Sequence, residues 1–219
     1  MNWRTGISLF AAAVVAGALA FPIGLSAQPS TPTDLLTRVQ DRLEGVQSLS
    51  ANFTQTFSSA YFDETESVAG TVLLKGNMYR VVTPEQTFVT DGHVAWIFSA
   101  SDNQVLINDF VEDETTFSLN AFLFGFEERY DAVEMESFDT DGRTSYVLRM
   151  NARDPAAFFP RVTMFVSAAD FSVNRLQVID ANETTITLDL SRVVMNPPVQ
   201  ESLFRFVPPE SSEIVDLRS

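Results

Sequence analysis

Residues 70–98 read GTVLLKGNMYRVVTPEQTFVTDGHVAWIF, and their pattern decides the fold. Val72 to Lys75, Met78 to Val82, Thr87 to Thr90 and Val94 to Phe98 are short β-like segments. Turn residues separate them: Gly76-Asn77 joins the first two and Asp91-Gly92 leads into the last. Gly tolerates the positive φ that tight hairpin turns need, so Asp-Gly between apolar alternating segments predicts a hairpin. The stretch is therefore an antiparallel meander, and a meander has one face to bury.

On the N-terminal side, Thr31-Pro32-Thr33-Asp34 predicts a helix start. Thr31 caps, Pro32 takes the first helical position, and Asp34 complements the helix dipole. Leu36, Val39, Leu43 and Val46 follow at helical spacing and form one apolar stripe. Ser50 to Phe57 alternates as a strand, and Ser58 to Ser67 reads as a wide turn. On the C-terminal side, Val105 to Phe110, Asp131 to Phe138, Ser145 to Met150, Arg161 to Val166, Val173 to Asp180 and Thr184 to Val193 are strand candidates. Asp141-Gly142, Ala168-Ala169-Asp170 and residues 180–183 supply turns. Residues 195–219 read as a loop, a last short strand at Leu203 to Phe206 and an irregular tail.

Glu112-Asp113-Glu114 and the Phe-rich run 117–126 interrupt the meander. There Leu119, Phe122, Leu123 and Phe126 fall at i, i+3, i+4 and i+7, the spacing of a short apolar helix. That stripe serves either a fixed core helix or a helix that a ligand can displace. The sum is mainly β with helices (α+β): a curved antiparallel sheet of about ten strands that twists and curls, with helices over its open side.

The chain has 219 residues, enough for one domain with a sizeable core. Its 19 Phe, against 2 Trp and 4 Tyr, ask for a large, purely apolar surface. Arg4 followed by the apolar run Ile7 to Ala20 predicts an export signal over residues 1–27. Ala27 is the expected cleavage position and Ala18-Leu19-Ala20 the rival one. Residues 28–219 then form a single domain. With no Cys, the protein relies on packing alone and has no thiolate chemistry. The net charge of −15 excludes a nucleic-acid surface. Lys75 is the only Lys beside many carboxylates, a composition that suits a salty milieu.

Catalytic chemistry finds little support. His93 is the only His and sits in a turn, without a Ser partner or a GxSxG motif. Asp139-Thr140-Asp141-Gly142 has the start of a calcium loop but not the rest. No phosphate loop or dinucleotide fingerprint is present. No metal, no cofactor and no enzymatic activity are expected.

The ordered set of pieces resembles the periplasmic outer-membrane lipoprotein carrier proteins of the LolA type. The pieces are Leu36 to Phe57, Gly70 to Lys75, Met78 to Arg80, Val89 to Phe98, Ile179 to Leu188, Asn196-Pro197, Leu203 to Phe206 and Pro208-Pro209-Glu210. The resemblance implies an unclosed β-barrel covered by an N-terminal helix and a short hydrophobic helical lid. It implies a soluble periplasmic monomer that binds lipoprotein acyl chains in a hydrophobic cavity. Its partners would be acylated lipoproteins, an inner-membrane release complex and an outer-membrane receptor. At roughly 0.8 kcal/mol per CH₂, one long acyl chain in water costs on the order of 10 kcal/mol, so a soluble carrier needs a broad apolar concavity.

On this reading Phe53, Val72, Leu74, Tyr79, Val81, Trp96 and Phe98 are the lipid-binding residues, and Leu119, Phe122, Leu123 and Phe126 the lid. A one-residue slip in any strand would swap its faces. Many members carry Arg-Pro after the residue aligned with Lys75, and that Arg latches the lid. Here Gly76-Asn77 follows instead, so Lys75 or Arg80 substitutes, or the lid closes on apolar contact alone. The rival readings are an envelope lipid-binding sensor or regulator on the same fold, a hydrolase, and an interaction module with a dry core.

Overall fold

The computed structural model describes residues 28–59, 65–111 and 125–218. Helix α1 (Pro32–Leu43) begins as its sequence dictates: Thr31 is extended, and its hydroxyl accepts the Asp34 N–H at 3.0 Å. Its stripe, Leu35, Leu36, Val39 and Leu43, is buried. The strands are β1 (Ser48–Ser59), β2 (Thr65–Lys75), β3 (Met78–Val82), β4 (Gln86–Thr90), β5 (Val94–Ser99) and β6 (Gln104–Asp109). After the one-turn helix α2 (Phe126–Arg129) come β7 (Tyr130–Thr140), β8 (Arg143–Ala152), β9 (Arg161–Ser167), β10 (Val173–Ile179) and β11 (Thr184–Met195). A 3-10 turn (Glu201–Phe204) and β12 (Glu213–Asp216) finish the chain.

All twelve strands join one sheet in the order β12-β6-β5-β4-β3-β2-β1-β11-β10-β9-β8-β7. Neighbours are antiparallel except β12, which runs parallel to β6. The sheet curves but does not close, since β12 and β7 remain its two ends. The turns obey the residues in them. Gly76 has φ 58° at the first position of the two-residue β2–β3 turn. Asp141 (φ 51°) and Gly142 (φ 73°) make the doubly positive turn between β7 and β8, whose backbone matches the strand twist.

Asn196 ties the two halves of the meander together. Its side-chain oxygen accepts the Gln47 N–H at 2.7 Å and the Ser48 N–H at 3.3 Å, and the Ser48 hydroxyl donates to the Pro197 carbonyl at 2.9 Å. The Asn196-Pro197 pair thus pins the start of β1 to the end of β11.

Helix α1 lies across the inner face and packs on β7 and β8. Under it Leu148, Met150, Val162, Met164, Val166 and Val178 are at most 1% exposed. They form one cluster with Leu49, Leu74 and Tyr79 farther along the same inner face, on β1, β2 and β3.

Two expectations are corrected. Leu203 to Phe206 is not a strand, because Glu201–Phe204 coils into the 3-10 turn and Phe204 is fully buried. The irregular tail holds instead a strand, β12, which takes its hydrogen bonds from the edge of β6. Of the helix expected over 117–126, Leu119, Phe122 and Leu123 lie outside the described residues. Phe126 opens α2, is buried in the core, and has its ring 5.9 Å from that of Tyr130.

Candidate functional site

Directly paired residues in a ladder share a face, so the registers sort every candidate. Phe53 opposes Gly70, Ala51 opposes Val72, and Leu49 opposes Leu74. Val72 then opposes Val81, and Leu74 opposes Tyr79. These side chains belong to the core cluster or pack against it, which makes theirs the inner face. The row continues through Phe88 and Thr90 on β4, Ala95 and Ile97 on β5, and Leu106 and Asn108 on β6. On the other wing it continues through Ile186, Leu188 and Leu190 of β11. Inner positions from β1 to β6 carry no Asp, Glu, Lys, Arg or His from Leu49 to Phe53 and from Val72 to Asn108.

Burial along this wall is graded. Leu49 and Leu74 are 1% exposed, whereas Val81, Phe88, Ile97 and Leu106 are only half-buried. Phe110 meets Tyr79 edge to face at 5.8 Å and extends the apolar surface beyond β6. The wall can hold aliphatic ligand by contact and desolvation, and offers it no charged group.

Trp96 and Phe98 fall on the opposite, outer face. Trp96 opposes Val89, and Phe98 opposes Val105, and those two valines are fully buried there. The Phe98 ring stacks on Phe206 at 5.7 Å, and the 3-10 turn packs over β3. The outer face of β3–β6 is thus a second packed layer under the C-terminal arm. The register makes Ala95 and Ile97, flanking Trp96, the inward residues of β5. Phe53, Val72, Leu74, Tyr79 and Val81 stand together on the inner face.

The two polar latch candidates also lie outside. Lys75 donates to the Glu201 carboxylate at 2.9 Å, and the Arg80 guanidinium donates to the Leu203 carbonyl at 3.3 Å. The Lys75 ammonium beside it holds the Glu201 carboxyl below its ordinary value. Both basic residues bind the C-terminal arm, and neither faces the inner wall.

Two features were not singled out in the sequence. A Cβ on Gly70 would lie 2.4 Å from the Val82 carbonyl oxygen and 2.8 Å from the Phe53 ring, so the ring uses the space that Gly leaves. The only hint was Gly in mid-strand. The second is a cavity of about 500 Å³ at the C-terminal end of α1, lined by Gln40, Leu43, Val46, Gly125 and Glu127 among others. Gln40 hydrogen-bonds Glu127 beside it. Gly125 has φ 90° and leads straight into α2.

His93 is exposed, and its backbone N–H donates to Asp91 Oδ1 at 3.0 Å. Burial would raise the Asp91 carboxyl, but the Val94 and His93 N–H groups outweigh it and hold the group below its ordinary value. Among the described residues no three His, Asp or Glu side chains are arranged to hold a metal ion.

The model of the outer membrane lipoprotein carrier protein LolA family matches residues 44–207. The chain is 26% identical over 180 residues to the outer-membrane lipoprotein carrier protein of Hahella chejuensis, covering 79% of this chain and 84% of that one. It is 24% identical over 183 residues to the carrier of the same name from Legionella pneumophila strain Paris, covering 81% and 87%. In fold it is similar to an uncharacterized conserved protein from Thermus thermophilus, with TM-score 0.50 and 13% identity over 84% of this chain and 98% of that one. The chain therefore belongs to the LolA family of outer membrane lipoprotein carrier proteins.

Proposed function

We propose that this protein is a non-enzymatic periplasmic carrier that binds the acyl chains of lipoproteins on its inner wall and shuttles the lipoproteins from the inner to the outer membrane. One observation carries the reading. An uncharged apolar surface runs from the packed core outward through Val81, Phe88, Ile97 and Leu106, which are only half-buried. Hiding one long acyl chain recovers on the order of 10 kcal/mol, at about 0.8 kcal/mol per CH₂, and several chains need a wall of this breadth. The carriers named among its relatives support the same reading.

The export signal over residues 1–27 delivers the chain to the periplasm. An inner-membrane release complex supplies the cargo, and an outer-membrane receptor takes it. The protein works as a monomer, and the apolar stripe of Leu119, Phe122, Leu123 and Phe126 serves as the lid. Lid closure rests on apolar contact, since Lys75 and Arg80 are engaged on the outer face.

Mass spectrometry of the protein purified from its own periplasm tests the function. Triacylated protein should co-purify with it. Protein that emerges free of acylated material, and that releases no lipoprotein from native membranes, sinks the proposal.

A further inference from the structure

The outer face of β1–β3 carries a cleft that the carrier reading leaves without a use. Its cavity, of about 320 Å³, is lined by Ser50, Asn52, Thr71, Leu73, Arg80, Val82 and Arg192 among others. Three observations on it converge.

The first is local backbone. Ser50 opposes Val194 and Asn52 opposes Ser191, so Arg192 and Val193 together stand opposite Ala51 as a β-bulge. Arg192 occupies the left-handed region there, at φ 52°. Glycine is the residue that accepts this conformation freely, and a side chain with a Cβ is held in it at a cost. Bulges re-aim side chains, and strained residues of this kind gather at binding sites. The bulge brings Arg192 to the same cleft as Arg80.

The second is charge. The chain has 14 basic and 29 acidic residues. Among the described residues Arg38, Arg42, Lys75, Arg149, Arg153, Arg161, Arg175 and Arg218 all pair with carboxylates. Among the described residues Arg80, Arg143, Arg192 and Arg205 form no ion pair despite that excess of acid, and of these Arg80 and Arg192 line the cleft. Arg80 spends one N–H on the Leu203 carbonyl and keeps its other donors. The nearby acid on this face, Glu201, is taken by Lys75.

The third is chemistry and size. Two guanidinium groups with the hydroxyls of Ser50 and Thr71 and the Asn52 amide form a donor-rich wall, and such walls suit phosphate oxygens. The volume equals roughly ten water molecules at about 30 Å³ each, more than a bare phosphate fills. Leu73 and Val82 supply an apolar side for a short carbon skeleton.

We propose that this cleft binds a phosphate ester of about glycerophosphate size, through Arg80 and Arg192. Its strands are the ones whose inner faces carry Phe53, Val72, Leu74, Tyr79 and Val81. A phosphate held there gives an otherwise strongly acidic protein one attractive contact with a phosphorylated surface. Two sources share this chemistry: the headgroup of an anionic phospholipid and a soluble phosphate ester.

Titration calorimetry on the full mature protein with sn-glycerol 3-phosphate and inorganic phosphate tests binding. Co-sedimentation with vesicles of phosphatidylglycerol or of phosphatidylcholine separates the sources. Glycerol phosphate should bind in the millimolar range or tighter, on the order of −4 kcal/mol or better. Arg80→Gln and Arg192→Gln should each weaken it about tenfold or more. Arg192→Gly should lose binding while melting no lower than wild type, because Gly relieves the bulge; this separates loss of the site from loss of the fold. Salt-sensitive binding to phosphatidylglycerol vesicles that both variants lose assigns the site to a headgroup. Binding of the soluble ester alone, lost in the same variants, assigns it to a free ester. Lipoprotein release from native membranes by the variants should match wild type at saturating cargo. The proposal is overturned if wild type binds none of these probes up to about 10 mM, roughly −2.7 kcal/mol, or if binding survives both Arg substitutions.

Discussion

Gly70 shows how a single missing carbon shapes the inner wall. The Phe53 ring and the Val82 carbonyl both occupy the neighbourhood where its Cβ would be. Gly70→Ala should therefore push the ring off β2 and cost about 1–3 kcal/mol, the usual cost of overpacking. A denaturant melt reads the loss, and an unchanged midpoint would show that the ring is free to move aside. Asp91 offers a second test. It accepts N–H bonds from His93 and Val94 at 3.0 and 2.9 Å, and its carboxyl lies below the ordinary 3.8. A depressed carboxyl stabilises the fold above its unfolded value and loses that contribution as pH falls through the folded one. Asp91→Ala should lower stability by about 1 kcal/mol at neutral pH, and the gap to wild type should narrow as pH falls through the lowered value of the folded carboxyl. A gap that persists in acid would mean that the turn geometry, and not the charge, is what Asp91 provides. His93→Ala should leave acyl-chain binding unchanged, because the residue is exposed in the turn between β4 and β5 and belongs to neither strand.

At the scale of elements, β5 divides its residues between two jobs. Ile97 belongs to the inner row, and Phe98 stacks on Phe206 under the C-terminal arm. Ile97→Glu should abolish acyl-chain uptake while lowering the melting temperature only modestly, since its site is half-buried. Phe98→Ala should do the reverse, costing about 2–3 kcal/mol while uptake per folded molecule stays near wild type. Dye displacement and a thermal melt on the two variants read both effects. If both lose uptake alike, the assignment of the faces is wrong.

The strands of the meander were legible because Gly76-Asn77, Asp91-Gly92 and Asp141-Gly142 punctuate alternating runs, and turn chemistry is local. The parity of β5 was not. Val94 to Phe98 is apolar at every position, because its outer face packs under the C-terminal arm and its inner face belongs to the apolar wall, so alternation has nothing to report. The tail was misread for a related reason. Leu203 to Phe206 alternates like a strand, but its partner surface, the 3-10 packing on β3, is distant in sequence. β12 exists only because β6 offers a free edge, which no local pattern announces. Arg192 was legible as a residue but not as a site, since the bulge that aims it depends on the β1 register.

At the scale of the molecule, one sheet serves two surfaces, an apolar concavity and an outer face partly sealed by the chain's own C-terminal arm. Around both lies a net charge of −15 with most of the described basic groups already paired. The unpaired carboxylates repel one another, and salt screens them within about 10 Å at 0.1 M. Raising salt from about 0.01 to 1 M should raise the melting temperature by several degrees. A flat or falling curve would remove the expectation of a protein built for a salty milieu.

The two ends of the sheet carry one more consequence. An exposed strand edge is a template on which further chains can stack, and a protein that also displays a greasy wall is doubly at risk of fibril growth. This chain blunts both ends. One end is the four-residue β12, laid parallel over the edge of β6 and held by backbone bonds such as Leu217 N–H to the Ile107 carbonyl at 2.8 Å. The β7 end is broken by the irregularity between Ala132 and Glu134, and carries Glu134 and Glu136 clamped to Arg149 at 3.0 and 3.1 Å. Cutting the chain after Arg205 would therefore do more than lose a strand. It would bare the edge of β6 with Val105, Leu106 and Ile107, and the truncated protein should seed thioflavin-positive aggregates at concentrations where the intact one stays clear.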